Sequence, residues 1–142
     1  MNTTANLLSY LENADRAALF RYRETQLKGR VTDYRAYMDR LIEKSGRSRI
    51  ELFRIADIRE NYGYKLLSGE IQSGDRDRLI RILFALRATL AECQRALKLH
   101  TTAVLSPHSY RDAILIYALY HRIYDLELVN EWLLKEGEKP LL

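Results

Sequence analysis

Between Ser48 and Gly69 the chain sets two helix-start signals close together and stops the second helix sharply, and few folds accommodate that. Ser48-Arg49-Ile50-Glu51 has the capping-box pattern, in which the Ser and Glu side chains each satisfy a backbone N–H left unpaired at a helix start. A short helix opening there runs through Leu52, Phe53 and Ala56 and turns near Asp57. The next helix runs from about Arg59 to Ser68, where Gly69 supplies the usual C-terminal stop. Two helices joined by a very tight turn are the result.

The flanking sequence is helical in pattern too. Leu7, Leu8, Leu11, Ala14, Ala18, Leu19 and Tyr22 recur at nearly i, i+3, i+4 spacing, which predicts a helix over Asn6 to Gln26 with a break near Asn13. Lys28-Gly29-Arg30 forms a joint, with Thr32 or Asp33 as the N-cap of a helix facing inward through Val31, Tyr34, Met38, Leu41 and Ile42 and ending at Ser45-Gly46. After the tight pair, Asp75 caps a helix buried through Leu79, Ile82, Leu83 and Leu86. A second capping box, Thr89-Leu90-Ala91-Glu92, opens another through Cys93 and Leu97. Beyond a loop at Thr101 to Pro107, Ala113, Ile116, Tyr117 and Tyr120 mark a sixth helix. Leu126, Val129, Trp132 and Leu133 mark a seventh, capped by Asp125. The ten tyrosines fall mostly at core spacing, with Tyr64 the one expected to be exposed. With only six Gly and two Pro there are too few turn residues for a sheet architecture, so the fold class is all-α.

Hydrophobic residues at 47% and charged residues at 30% describe a chain that folds. No apolar run approaches the roughly 20 residues of a membrane helix, so no membrane partner is expected. The single cysteine, Cys93, and a start with neither the basic nor the apolar part of a signal peptide point to the cytoplasm. The net charge of +4 is unevenly spread: residues 16–54 hold eleven Lys and Arg against five Asp and Glu, while 1–15 and 107–142 are acidic on balance. The basic excess therefore lies in and just before the tight helix pair, and it reads either as a solvated surface or as a phosphate-facing one.

Catalysis has little support. His108, Ser109 and Asp112 are close in sequence, but at one helix start they point in different directions and cannot form a relay. His100, His108, His121 and Cys93 lack metal-ligand spacing, and no glycine-rich phosphate loop occurs, so no catalytic residue, metal or cofactor is expected.

A tight turn between the second and third of five helices, with a Gly ending the third, resembles the lambda-repressor-like, Cro-type domain of the XRE family over residues 32–100. The motif reads Arg49 to Lys65, with Leu52, Ala56, Ile58 and Leu66 where that family buries apolar residues. Tyr62-Gly63-Tyr64, Arg111-Asp112-Ala113-Ile114 and the ending Glu136-Gly137-Glu138-Lys139-Pro140-Leu141 are similar to a group of small bacterial XRE-type proteins. The resemblance implies an N-terminal helical arm over 1–30, a helix-turn-helix domain over 31–105, and a C-terminal helical extension over 106–142 packed on it.

Three positions depart from the family: Phe53 stands where a small Ala is usual, Asp57 where a turn Gly is usual, and Gly63 where a bulky Ile or Val is usual. The first and third touch in the family fold, so Phe53 and Gly63 read as a volume-conserving exchange. The resemblance further implies a transcriptional regulator that binds double-stranded DNA as a homodimer, with its third helix in the major groove. Arg59, Asn61, Tyr64 and Lys65 would face the DNA, and Ser48 and Arg49 would hold its backbone. Glu60 is discordant beside phosphate unless it accepts from a cytosine amino group. The alternative is an adaptor that keeps this fold without DNA and binds a protein partner through the same surface or through the N- or C-terminal helices.

Overall fold

The computed structural model describes residues 3–22, 33–71 and 75–142. Every regular element among them is a helix, and no described helix is long and apolar enough to cross a membrane. The chain divides into two compact units, Met1–Asp33 and Tyr34–Leu142.

In the first unit, α1 (Thr4–Asn13) and α2 (Arg16–Phe20) form the helical segment expected from Asn6 onward, with the break near Asn13 that the spacing predicts. The break falls at Ala14-Asp15, both extended, and its cause is local: the Asp15 carboxylate accepts from Ala18 N–H at 2.7 Å and restarts the helix as an N-cap. Residues 23–26 of the expected helix lie outside the described residues, as does Thr32 as a candidate N-cap.

The second unit holds α3 (Asp33–Ser45), α4 (Arg49–Ala56), α5 (Glu60–Ser68), α6 (Arg76–Ala85), α7 (Leu90–Leu99), α8 (Tyr110–Tyr120) and α9 (Leu126–Lys135). One cluster of buried side chains runs through it from Tyr34 to Leu141, with Met38, Leu52, Leu66, Leu79, Leu97, Leu115 and Val129 among its fully enclosed members. Both capping boxes form: Ser48 and Glu51 exchange bonds at the start of α4, and Thr89 and Glu92 at the start of α7. Asp125 caps α9 as expected.

Helix ends follow a common scheme. After α4, α6, α7 and α8 a left-handed residue lets the next N–H reach five residues back, as in Ile58 N to Phe53 O at 2.9 Å and Ile123 N to Ala118 O at 2.8 Å. Those left-handed residues are Asp57, Arg87, Thr101 and Arg122, all at φ between 55° and 61°. None is the glycine that this conformation favours, so each costs on the order of 1–2 kcal/mol.

Three expectations are corrected. Asp75 makes no side-chain cap for α6; its carboxylate instead accepts from the Tyr62 hydroxyl and pairs with Arg78 at 2.7 Å. The inward face of α8 is Asp112, Leu115, Ala118 and Leu119, one residue round from the Ala113, Ile116, Tyr117 and Tyr120 face read from the sequence. Of the tyrosines only Tyr34 is buried among the described residues, while Tyr110, Tyr117 and Tyr120 join Tyr64 in solvent. Cys93 is enclosed, and burial pushes its thiol up to about 12, as befits an inert core side chain.

Arginines bind the later helices to α6. Arg76 forks onto Asp112 at 2.7 and 3.0 Å and donates to the Ala103 and Val104 carbonyls. Arg111 forks onto Asp77 at 2.9 and 3.1 Å and holds the Lys139 and Pro140 carbonyls. Arg81 reaches the Ala56 carbonyl at the end of α4 and the Leu141 carbonyl near the chain end.

Candidate nucleic-acid interface

The surface picked out by the sequence is the outer side of α4 and α5. Its inner side is fixed by packing: Leu52, Phe53 and Ala56 of α4 are buried, as are Gly63, Leu66 and Leu67 of α5. Phe53 stands directly over Gly63. A Cβ built at Gly63 would lie 2.6 Å from Phe53 Cδ1 and 2.7 Å from Cζ, so the ring occupies the space of the absent side chain. The glycine is required by this close approach, since its backbone is not left-handed. Tyr64 meets the same ring edge-on, at 5.1 Å between centroids.

With that side fixed, helical geometry turns Asn61, Tyr64 and Lys65 outward together at i, i+3, i+4 spacing, and all three are exposed. Tyr64 is 43% exposed with its ring braced on Phe53, which limits the directions its hydroxyl can take. Arg59 sits at the N-cap position of α5 with no side-chain capping bond, exposed at the mouth of the turn. Glu60 lies one turn before Tyr64 at i, i+4 spacing, so it stands exposed beside Tyr64 at the start of the strip. In the first turn of α5 its charge also suits the positive end of the helix dipole.

At the start of α4 the two candidate backbone-holding residues are already engaged. Ser48 Oγ accepts from Glu51 N at 3.2 Å, and its hydroxyl also faces the Glu51 carboxylate, so it is engaged within the capping box. Arg49 is paired with Asp39 of α3 at 2.5 Å. The Glu51 carboxyl is held below its ordinary range, first by the Ser48 backbone N–H and then by its hydroxyl. Thus Asn61, Tyr64 and Lys65 share the outer face of α5 with Arg59 exposed at its start, while at the start of α4 Ser48 is engaged in its cap and Arg49 is paired with Asp39.

Sequence reading missed Asp39 as the partner of Arg49, and also Arg81, which ties the turn to the rest of the unit. Arg81 Nε donates to the Ala56 carbonyl at 2.6 Å, satisfying one of the acceptors that α4 leaves open at its end. The spacing of Asp39 and Arg49 carries no signal, because the two lie on different helices. Comparison of the chain with protein-family models, with curated proteins and with solved structures finds no match.

Proposed function

We propose that this chain is a DNA-binding transcriptional regulator of the Cro/XRE type, whose residues 31–105 act as a five-helix helix-turn-helix domain with α5 laid in the major groove. The observation that carries the reading is the exposed strip Asn61, Tyr64 and Lys65, with Arg59 at its head, on a helix locked from behind by Phe53 against Gly63. Asn61 has the paired donor and acceptor that read adenine, and Arg59 and Lys65 can neutralise phosphates and release counterions. In this reading the start of α4 at Ser48, the positive end of that helix, meets a phosphate oxygen. Such proteins bind half-sites about 34 Å apart as symmetric dimers, and a homodimer is part of the proposal.

Selection of bound fragments from random duplex DNA, followed by mobility shifts at graded salt, tests it. Lys65→Ala should weaken binding to all sequences alike and reduce the salt slope by about one. Asn61→Ala should cost about 1–3 kcal/mol and relax preference at one base pair. Selection that enriches no sequence, together with no salt-sensitive retardation, would overturn the reading.

The Arg49–Asp39 pair favours a second reading, an adaptor that binds a protein through the same surface, because it withdraws one cation from the segment meant for phosphate. Breaking the pair separates the two. Asp39→Ala should strengthen DNA binding by freeing Arg49, and no gain is expected of an adaptor.

A further inference from the structure

Away from the α4–α5 strip, a cavity of about 820 Å³ opens between the end of α3, the last turn of α4, the α6–α7 corner and the α8–α9 corner. Leu41, Ile55, Phe84 and Tyr124 give it an apolar floor, and Lys44, Arg47, Arg87 and Arg122 bring four cations to its wall. Two carboxylates, Glu92 and Asp125, also line it; the first is paired with a cation, and the second keeps its charge while held by backbone N–H groups. Glu92 caps α7 through Thr89 N and pairs with Lys44 at 3.2 Å, while Asp125 accepts the Glu127 and Leu128 N–H groups at the start of α9. Arg47, Arg87 and Arg122 form no ion pair among the described residues. Arg87 and Arg122 moreover hold the left-handed position that closes α6 and α8, where glycine would carry no steric penalty. Two arginines from different helix ends thus line the same cavity.

We propose that this cavity binds a small phosphorylated organic molecule, with its phosphate between Arg47, Arg87 and Arg122 and its organic body on Leu41, Ile55 and Tyr124. Three guanidinium forks exceed what one carboxylate can accept, whereas a doubly charged phosphate offers three terminal oxygens to them. The volume suits a drug-sized ligand and is far larger than a bare phosphate needs. The inference is independent of DNA binding, since the cavity includes none of Arg59, Asn61, Tyr64 or Lys65.

Calorimetric titration with adenosine monophosphate, glucose 6-phosphate and phenyl phosphate tests it, alongside adenosine and orthophosphate as the two halves of the first probe. At least one of the three organic phosphates should saturate at submillimolar concentration and raise Tm, with its separate halves at least tenfold weaker. Arg87→Gly/Arg122→Gly should keep or raise the Tm of the free protein and weaken that ligand at least tenfold. Arg47→Ala should weaken it similarly and serves if the double variant fails to fold. Failure of all three organic phosphates to saturate overturns the proposal, and so does unchanged affinity in a folded variant. If the arginine variants lose duplex DNA while no small phosphate binds, the cavity is instead part of a nucleic-acid track and the proposal fails.

Discussion

Phe53 and Gly63 share one volume between two helices, and each makes sense only beside the other. The ring fills the space over Gly63, so Gly63→Val alone forces a collision and should cost about 1–3 kcal/mol as overpacking. Phe53→Ala alone empties the site, at about 3–5 kcal/mol. The double variant Phe53→Ala/Gly63→Val moves the bulk to the other helix and should be more stable than Phe53→Ala, with a coupling energy of about 1–3 kcal/mol in a urea double-mutant cycle. Simple additivity of the two losses would show that the pair does not share a space. This exchange was legible in the sequence through the family resemblance, because it involves two odd residues within one motif. The Arg49–Asp39 pair was not, because nothing local to Arg49 points to α3.

Helix ends are the elements that the sequence announced best. Both capping boxes and the Asp125 cap use side chains within three residues of the bonds they make, so pattern and structure coincide. The face of α8 was harder to read, because Ala113 to Leu119 is apolar without a break and offers no contrast to set its rotation. The Arg76–Asp112 pair and the buried Leu115, Ala118 and Leu119 mark the rotation that is present. The turn between α4 and α5 lies between these cases. Asp57 holds the left-handed conformation at φ 55°, and its contact with Arg81 is long, 3.9 Å, from a carboxylate that is 94% exposed. Such a pair contributes almost nothing, so the backbone penalty dominates. Asp57→Gly should therefore raise stability by about 0.5–1 kcal/mol after the extra freedom of glycine in the unfolded chain is counted. The urea midpoint would rise at unchanged slope, and a fall would mean that Asp57 does more for Arg81 than its distance implies.

At the scale of the whole Tyr34–Leu142 unit, the question is whether residues 107–142 fold with α3–α7 or merely attach to them. Leu141 is fully buried and its backbone exchanges two bonds with Asn130, while Arg81 and Arg111 grip the carbonyls around it. Arg76 and Asp112 join α6 to α8 across 36 positions of sequence, a link invisible to periodicity. Burial alone would raise the Asp112 carboxyl, but the Arg76 guanidinium and the Ser106 N–H outweigh it and hold the group below its ordinary value. A carboxyl depressed in the folded state binds its proton more readily when unfolded, so its contribution is complete above the unfolded value near 4 and is lost as pH falls through the lower folded value. Stability of the unit should thus decline below about pH 4, and Asp112→Asn should flatten that decline while lowering stability at neutral pH. Leu141→Ala should cost about 2–5 kcal/mol through the cavity left in a closed core. If the unit is cooperative, hydrogen exchange will show that loss in α6 and α7 as well as in α9, with one thermal transition. Faster exchange confined to α8 and α9, with α3–α7 still protected, would instead make residues 107–142 a separable appendage.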